Sequence, residues 1–390
     1  MAHATPDPLG EGQGIWRSLG AGNPQDPPQK LMMLLVTPLL ATIPLADEPL
    51  PGVTMPLADK LGELKAALQG ELDNAVKVHP DFAMSLGWHS TLGSFGLAAG
   101  MVPSAGMTPA RPVRPLDKFL FGSGTKPLTA TAVLRLAEAG ALSLEDAVAK
   151  HVDSILHAAN GTTMAGLFGP DATRITVRQL LHMQSGLPDF DVPSLDDEIL
   201  RAGDKSWPPY AVLHSAASQT NLTLHFAPGS RTEYSSTNYV VAGLVLLAHQ
   251  PSAGGDWTKL DLSSLVFPSN LRPAYADVNF INDEPISSML TVPGVSGMIA
   301  NQTTQIWAQR GGVLGWTCGN MAASAKDVAS FYHDLLVAKT LLSEDSLAVM
   351  QKFHVLDFGW AKGHIIYGAV RAATPCRHSV PIACGRRVKR

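Results

Sequence analysis

Ser123-Gly-Thr-Lys126 is the only Ser-x-x-Lys in the 390 residues. At helical spacing, residues three apart share a face, so the lysine ammonium can lie beside the serine hydroxyl. A serine hydroxyl is a poor nucleophile until a base takes its proton. A lysine near another cation or in a dry pocket can do this, because its pKa falls. A helix N-terminus adds a field that favours the developing alkoxide. Pro127 fits a first turn, which places the start of a helix near Ser123. By itself the motif carries little, since about one chance occurrence is expected in a chain of this length. A surface serine and lysine at a helix start would read the same way.

The elements that must hold this pair are legible in outline. Leu57, Leu61, Leu64, Leu68 and Leu72 recur every three or four residues and predict a helix over 57–78. Residues 82–89 and 96–101 read as two short strands of a hairpin. A strong helix runs from the Ser123 motif to Ala139, with Ala132, Val133, Leu136 and Ala137 as its buried stripe and Gly140 as its stop. Ser143-Leu-Glu-Asp146 reads as a capping box that opens another helix. Residues 175–185, 238–249 and 326–338 are also helix-like, and 250–290, rich in Pro, Ser and Asp, reads as loops. Strands, a long helical section and a return to mixed structure predict an α/β unit with an inserted helical domain.

Four landmarks, in order, carry a family resemblance. They are Phe121 to Gly140 with Leu142-Ser-Leu-Glu-Asp146, Ile175 to Pro188 ending in Ser-Gly-Leu-Pro, Pro228-Gly229 followed by Tyr234-Ser-Ser-Thr-Asn-Tyr239 and Gly243, and Trp316 to Phe331. Together they resemble the serine β-lactamase-related family, which includes class C β-lactamases, DD-peptidases and related esterases. The resemblance covers roughly residues 80 to 368. It implies a β-lactamase/transpeptidase-like fold: an antiparallel sheet flanked by helices, with an all-helical insertion. The α/β part would span about 55–125 and 290–368, and the helical part about 126–289. The resemblance also implies roles. Ser123 would be the nucleophile, its backbone N–H half of an oxyanion hole. Lys126 would lower the serine's pKa and relay its proton, and Tyr234 would act with Lys126 as general base.

The chain departs from the family pattern twice. Ser236 stands where the family has Asn, two residues after the tyrosine. A hydroxyl still hydrogen-bonds a substrate amide but has fewer donors and less reach, which fits an esterase-like site better than β-lactam recognition. The family's third motif, Lys-Thr-Gly or His-x-Gly on an inner strand, has no clear counterpart. Phe358-Gly-Trp360 and Tyr367-Gly368 resemble its lead-in, and His364 and His378 are the histidines that follow the Phe358 end. Of these, His364 is the substrate-binding candidate beside Ser236. The missing motif would carry the second oxyanion N–H, and the family's last strands have no visible counterpart after 368.

Composition bounds the rest. Hydrophobic residues make up 45% and charged residues 16%, so the chain can bury a sizeable core without staples and is too apolar to be disordered. The length suits two domains or one large one. The net charge of −4 leaves no overall positive field for nucleic acid. Charge is uneven: no acidic residue follows Asp357, whereas seven basic ones do. Residues 369–390 therefore read as a basic tail unlike the family, either an anionic-surface binder or sequence foreign to the fold, from a frameshift or mis-splicing. Cys318, Cys376 and Cys384 give no disulfide framework and no zinc spacing. No other common hydrolase, P-loop or dinucleotide motif occurs. Residues 1–54 read as a leader. Its apolar run, 31–46, is too short for a comfortable membrane span but resembles a signal region, with Met32 or Met33 as an alternative start. With sequons at Asn160, Asn221 and Asn301 it points to the secretory pathway, the cytoplasm being the alternative.

The expectation is therefore a serine hydrolase acting on an ester or amide in a small-molecule or peptide substrate, using no metal or organic cofactor. The in-class alternative is a DD-peptidase or β-lactamase. The alternative outside the class is an impaired relative acting as a binding or structural protein.

Overall fold

The structure is a computed structural model that describes residues 57–80, 83–102, 110–285, 298–299, 304–305, 309–310, 315–359, 362–363, 366–369 and 371–373. The leader, the 31–46 run, the Asn301 sequon, His364, His378, Cys376 and Cys384 lie outside the described residues.

Helix α1 (Leu57–Val78) is the leucine-striped helix that the sequence predicts. Leu61, Leu64, Leu68 and Leu72 are partly buried while most of their neighbours face solvent. Its Gln69 Nε2 donates to the Ala98 carbonyl at 3.0 Å, tying it to the hairpin of β1 (Met84–Ser90) and β2 (Gly93–Ala99). The hairpin is antiparallel in register, Met84 opposite Ala99 and Ser90 opposite Gly93. Strands β3 (Met101–Val102) and β4 (Arg111–Pro112) pair beside it. A small core of Ala83, Val102, Val113 and Phe119 closes this end.

Strand β5 (Phe119–Leu120) leads through a 3-10 turn, Gly122–Thr125, into α2 (Lys126–Glu138). Every residue from Lys126 to Leu134 is buried. The helical section continues with α3 (Ala149–Asn160), α4 (Met164–Phe168), α5 (Val177–Leu181), α6 (Pro193–Ala202), α7 (Pro209–Ser218), α8 (Thr237–Ala248) and α9 (Leu262–Val266). Helix α8 is buried from Thr237 to Leu247, as expected of a helix apolar all round after its first turn. Helices α2 and α8 are the spine of the main core, where each fully buried Leu or Val contributes about 1.5–3 kcal/mol.

Strand β6 (Asn279–Phe280) follows, and then the β7–β8 pair (Met298–Ile299, Thr304–Gln305). Strand β9 (Met321–Ala323) lies between β5 and β6, antiparallel to both. Helix α10 (Ala325–Leu336) packs on β1. Gly87 makes this possible, because a Cβ there would collide with the Ala325 carbonyl at the start of α10. Helix α11 (Glu344–Met350) precedes β10 (His354–Val355), β11 (Ile366–Gly368) and β12 (Arg371–Ala373), which form an antiparallel three-stranded sheet in that order. No described helix is long and apolar enough to cross a membrane.

Three local expectations are corrected. Only one half of the Ser143–Asp146 capping box forms: Ser143 N donates to Asp146 Oδ2 at 2.9 Å, whereas Ser143 Oγ accepts from Glu145 N at 3.2 Å; the bonds close a turn, and the helix begins only at Ala149. The 250–290 stretch is not all loop: it holds α9, β6 and three 3-10 turns. Arg371–Ala373, inside the basic tail, pairs with Ile366–Gly368 as a strand although it shows no alternating pattern.

Candidate active site

The site is assembled where the first turn of α2 meets the first turn of α8. Lys126 Nζ donates to Ser123 Oγ at 2.9 Å, as the three-residue spacing implies. Tyr234 comes from the segment before α8, 111 residues away in the chain, and its hydroxyl donates to the same Ser123 Oγ at 2.8 Å. Ser236 is buried, with its Oγ 3.3 Å from Lys126 Nζ. Ser123, Lys126, Tyr234 and Ser236 thus form one cluster; His364 lies outside the described residues.

Each member is fixed from several sides. The nucleophile turn is tied to β9 by Phe121 N to the Met321 carbonyl at 2.9 Å, and by Met321 N to Thr125 Oγ1 at 3.0 Å. Thr125 Oγ1 also donates to the Gly122 carbonyl at 2.8 Å. Ser123 stands in this opening turn, where helix geometry leaves N–H groups without a carbonyl of their own and so free to meet an oxyanion. The 3-10 turn Trp316–Cys318 supplies a third partner for the lysine: Lys126 Nζ donates to the Cys318 carbonyl at 3.0 Å.

That turn is wedged between the two spine helices. Thr129 Oγ1 donates to the Thr317 carbonyl at 2.6 Å, and Thr317 Oγ1 donates to the Tyr239 carbonyl at 2.8 Å. Gly243 on α8 admits it, since a Cβ there would run into the Thr317 side chain and the Trp316 ring. Trp316 takes a left-handed φ of 35°, a strained choice for an aromatic residue. Its Nε1 bond to Asn282 Oδ1 at 2.9 Å helps hold it there.

The tyrosine side is stitched as firmly. Asn238 Oδ1 accepts from Ser185 Oγ at 2.6 Å, and Thr237 Oγ1 donates to the Pro188 carbonyl at 2.7 Å, so the Ser-Gly-Leu-Pro turn is fastened to the start of α8. Thr232 N donates to Asp357 Oδ1 at 2.8 Å, and the Asp357 and Phe358 N–H groups donate to the Thr232 carbonyl. The Phe358 end of the third-motif lead-in therefore runs beside the Tyr234 segment. Tyr367, from the other end, presents its buried ring edge-on to Tyr234 with centroids 5.8 Å apart.

Electrostatics favour a cation at the centre, which corrects the expectation of a lysine whose pKa falls in a dry pocket. Burial pushes the Lys126 ammonium down, but the Tyr234 oxygen, Cys318 and Asp189 push it up, and the upward pull prevails. Lys126 also lies over the Tyr234 ring, 5.2 Å from its centroid. Burial drives the Cys318 thiol up to about 12, which leaves it neutral near pH 7. Sequence reasoning did not single out Asp189, the Cys318 carbonyl or the Tyr367 ring at this site. The Ser-Gly-Leu-Pro landmark was the signal for Asp189, which follows it directly; nothing in the sequence signals a backbone carbonyl.

The profile of the Beta-lactamase family matches residues 95–368. The chain belongs to the Beta-lactamase family. A curated relative, Protein flp of Staphylococcus aureus (strain NCTC 8325 / PS 47), is 33% identical over 132 residues. The match covers 34% of this chain and 23% of the relative, so it reaches under a quarter of the relative's length. Solved structures share the Beta-lactamase-type fold. A D-stereospecific amidohydrolase from Streptomyces sp. superimposes with a TM-score of 0.54 at 20% identity, covering 79% of this chain and 82% of its own. D-amino acid amidase from Ochrobactrum anthropi SV3, complexed with L-phenylalanine amide, gives 0.57 at 20% identity, covering 80% and 81%. EstCE1, a hydrolase with promiscuous acyltransferase activity, gives 0.52 at 18% identity, covering 79% and 82%.

Proposed function

We propose that this chain is a serine hydrolase that cleaves an ester or amide through an acyl-enzyme on Ser123. The observation that carries the reading is the convergence of Lys126 Nζ and Tyr234 Oη on Ser123 Oγ at 2.9 and 2.8 Å. For the first step the Tyr234–Lys126 pair must already have given one proton to solvent; Ser123 Oγ then bonds to the substrate carbonyl carbon, the carbonyl π electrons move to its oxygen, and the serine proton passes to the Tyr234 oxygen beside the Lys126 ammonium. The Lys126 ammonium offsets negative charge on the oxygens around it, and the Ser123 N–H meets the oxyanion. The proton then goes to the leaving alcohol or amine as its bond to carbon breaks. Water repeats the sequence on the acyl-enzyme and frees Ser123.

An ester or amide in a small molecule or peptide is favoured over a β-lactam. The Ser236 hydroxyl is buried against Lys126, and it lacks the reach of the asparagine that the resemblance leads one to expect. The amidase and esterase names of the fold neighbours agree in kind. The test is labelling by a fluorophosphonate beside a fluorescent penicillin, in the parent and in Ser123→Ala. Labelling that disappears in Ser123→Ala is expected, faster with the fluorophosphonate. Folded parent protein that takes up neither probe at Ser123 would leave the impaired, binding-protein reading standing instead.

A further inference from the structure

Lys126 is a buried ammonium that donates to Ser123 Oγ, Ser236 Oγ and the Cys318 carbonyl and also meets the Tyr234 side chain, and none of these partners is a carboxylate. A buried charge without a counter-charge is costly, so the question is where the balancing anion sits. Among the described residues no carboxylate forms an ion pair with it. One carboxylate is placed a single hydrogen bond further out. Asp189 Oδ1 accepts from the backbone N–H of Ser236 at 3.0 Å, and Ser236 is the residue whose hydroxyl meets the ammonium.

The loop leaves Asp189 little freedom. On one side of it the Pro188 carbonyl accepts from Thr237 Oγ1 at 2.7 Å; on the other, Phe190 N donates to the same Thr237 Oγ1 at 3.0 Å. Asp191 N donates back to Asp189 Oδ1 at 3.3 Å. The carboxylate is thus clamped to the first turn of α8 by the two residues that flank it.

We propose that Asp189 is the carboxylate counter-charge to the Lys126 ammonium, acting through Ser236 as a positioning residue for the Ser123 nucleophile. The proposal rests on the serine-hydrolase reading for its consequence in catalysis, but not for the link between the two charges. The groups facing Asp189 are Lys126 on α2, Asp191 in its own loop, His225 beyond it, and Cys318 in the turn behind. Burial, with Asp191 beside it, lifts the Asp189 carboxyl to about 7. Below that pH it is neutral, and Lys126 loses its balancing charge. His225, hydrogen-bonded to Glu233 at 2.7 Å and raised by it, titrates nearby and must be separated.

Asp189→Asn keeps an oxygen to accept the Ser236 N–H and removes the charge; Asp189→Ser removes the charge with a shorter side chain. Each is compared with the parent for fluorophosphonate labelling of Ser123 across pH 5–9, with His225→Gln as control. The parent should show a limb near pH 7 that persists in His225→Gln. Asp189→Asn should lose the limb, its labelling rate at pH 8 falling to the rate the parent shows on the acid side of the limb. A limb kept in Asp189→Asn, or an unchanged rate, overturns the proposal. A second readout needs no catalysis. In 13Cε-lysine-labelled Ser123→Ala protein, the Lys126 resonance, identified by its loss on Lys126→Arg, should carry a step near pH 7 and remain that of an ammonium at pH 8. Asp189→Asn should abolish the step; a Lys126 signal blind to pH in this range overturns the link. If the parent does not label at all, the hydrolase reading fails, and the resonance still decides whether Asp189 and Lys126 are coupled.

Discussion

Lys126 and His182 are two ionisable side chains buried almost completely, 2% and 1% exposed, on elements that pack against the same helix α8. Lys126 has three hydrogen-bond acceptors and a carboxylate beyond them, and stays charged. His182 has no well-formed hydrogen bond on either ring nitrogen. It meets the edge of His354 at a centroid distance of 5.4 Å. Burial first, then repulsion from His354, Arg178 and Lys352, push its pKa to about 4, so it is neutral. The same loss of water produces opposite charge states. What separates them is the set of partners the fold supplies: burial selects the neutral form unless oxygens are already in place.

The largest effect expected from breaking this contrast is at the lysine. Lys126→Met fills the space without the charge and should reduce fluorophosphonate labelling of Ser123 by about a thousandfold or more, while circular dichroism shows a folded chain. Next is the histidine. A pKa of about 4 against 6.5 in the unfolded chain means the unfolded state binds more protons between those values. The parent therefore loses stability as pH falls from about 6.5 to about 4, by roughly 3 kcal/mol from this residue. His182→Leu should lack that share, so denaturant midpoints of parent and variant should diverge on acidification; parallel curves would remove the neutral histidine from the comparison. The smallest of the three is Gly243→Ala, which presses on the turn holding the Cys318 carbonyl against Lys126. It should cost about 2 kcal/mol in a denaturation curve and slow labelling beyond the unfolded fraction.

The sequence and the structure agree best where the message is local. Ser123 and Lys126 meet because three residues of helix bring them together, and α1 is read from five leucines spaced three or four apart. Tyr234 was reachable only through the order of the landmarks, since nothing in Tyr-Ser-Ser says that it will meet a serine 111 residues earlier. The Cys318 carbonyl and the Asp189 counter-charge were illegible for a physical reason. One is backbone, which every residue has, and the other acts through the N–H of a third residue. Helices α6 and α7 begin on Pro193 and Pro209, residues that in isolation read as breakers and are tolerated here because they open the first turn. Ser143 forms one of its two predicted bonds, while its hydroxyl turns to Glu145 N; Asp146 divides its carboxylate between the turn and Lys150 at 2.9 Å, and the helix starts three residues later.

The buried Cys318 gives the site a clock of its own. Its thiol is 3% exposed and pushed up to about 12, so an alkylating reagent in solution meets almost no thiolate and almost no path to it. Reaction requires the Trp316–Cys318 turn to leave its place between α2 and α8, which is the same event that strips Lys126 of a partner. In the regime where reclosing outruns chemistry, the alkylation rate is the intrinsic thiol rate scaled by the open fraction. A thiol that does nothing in the reaction thus reports how often the machinery around Ser123 comes apart.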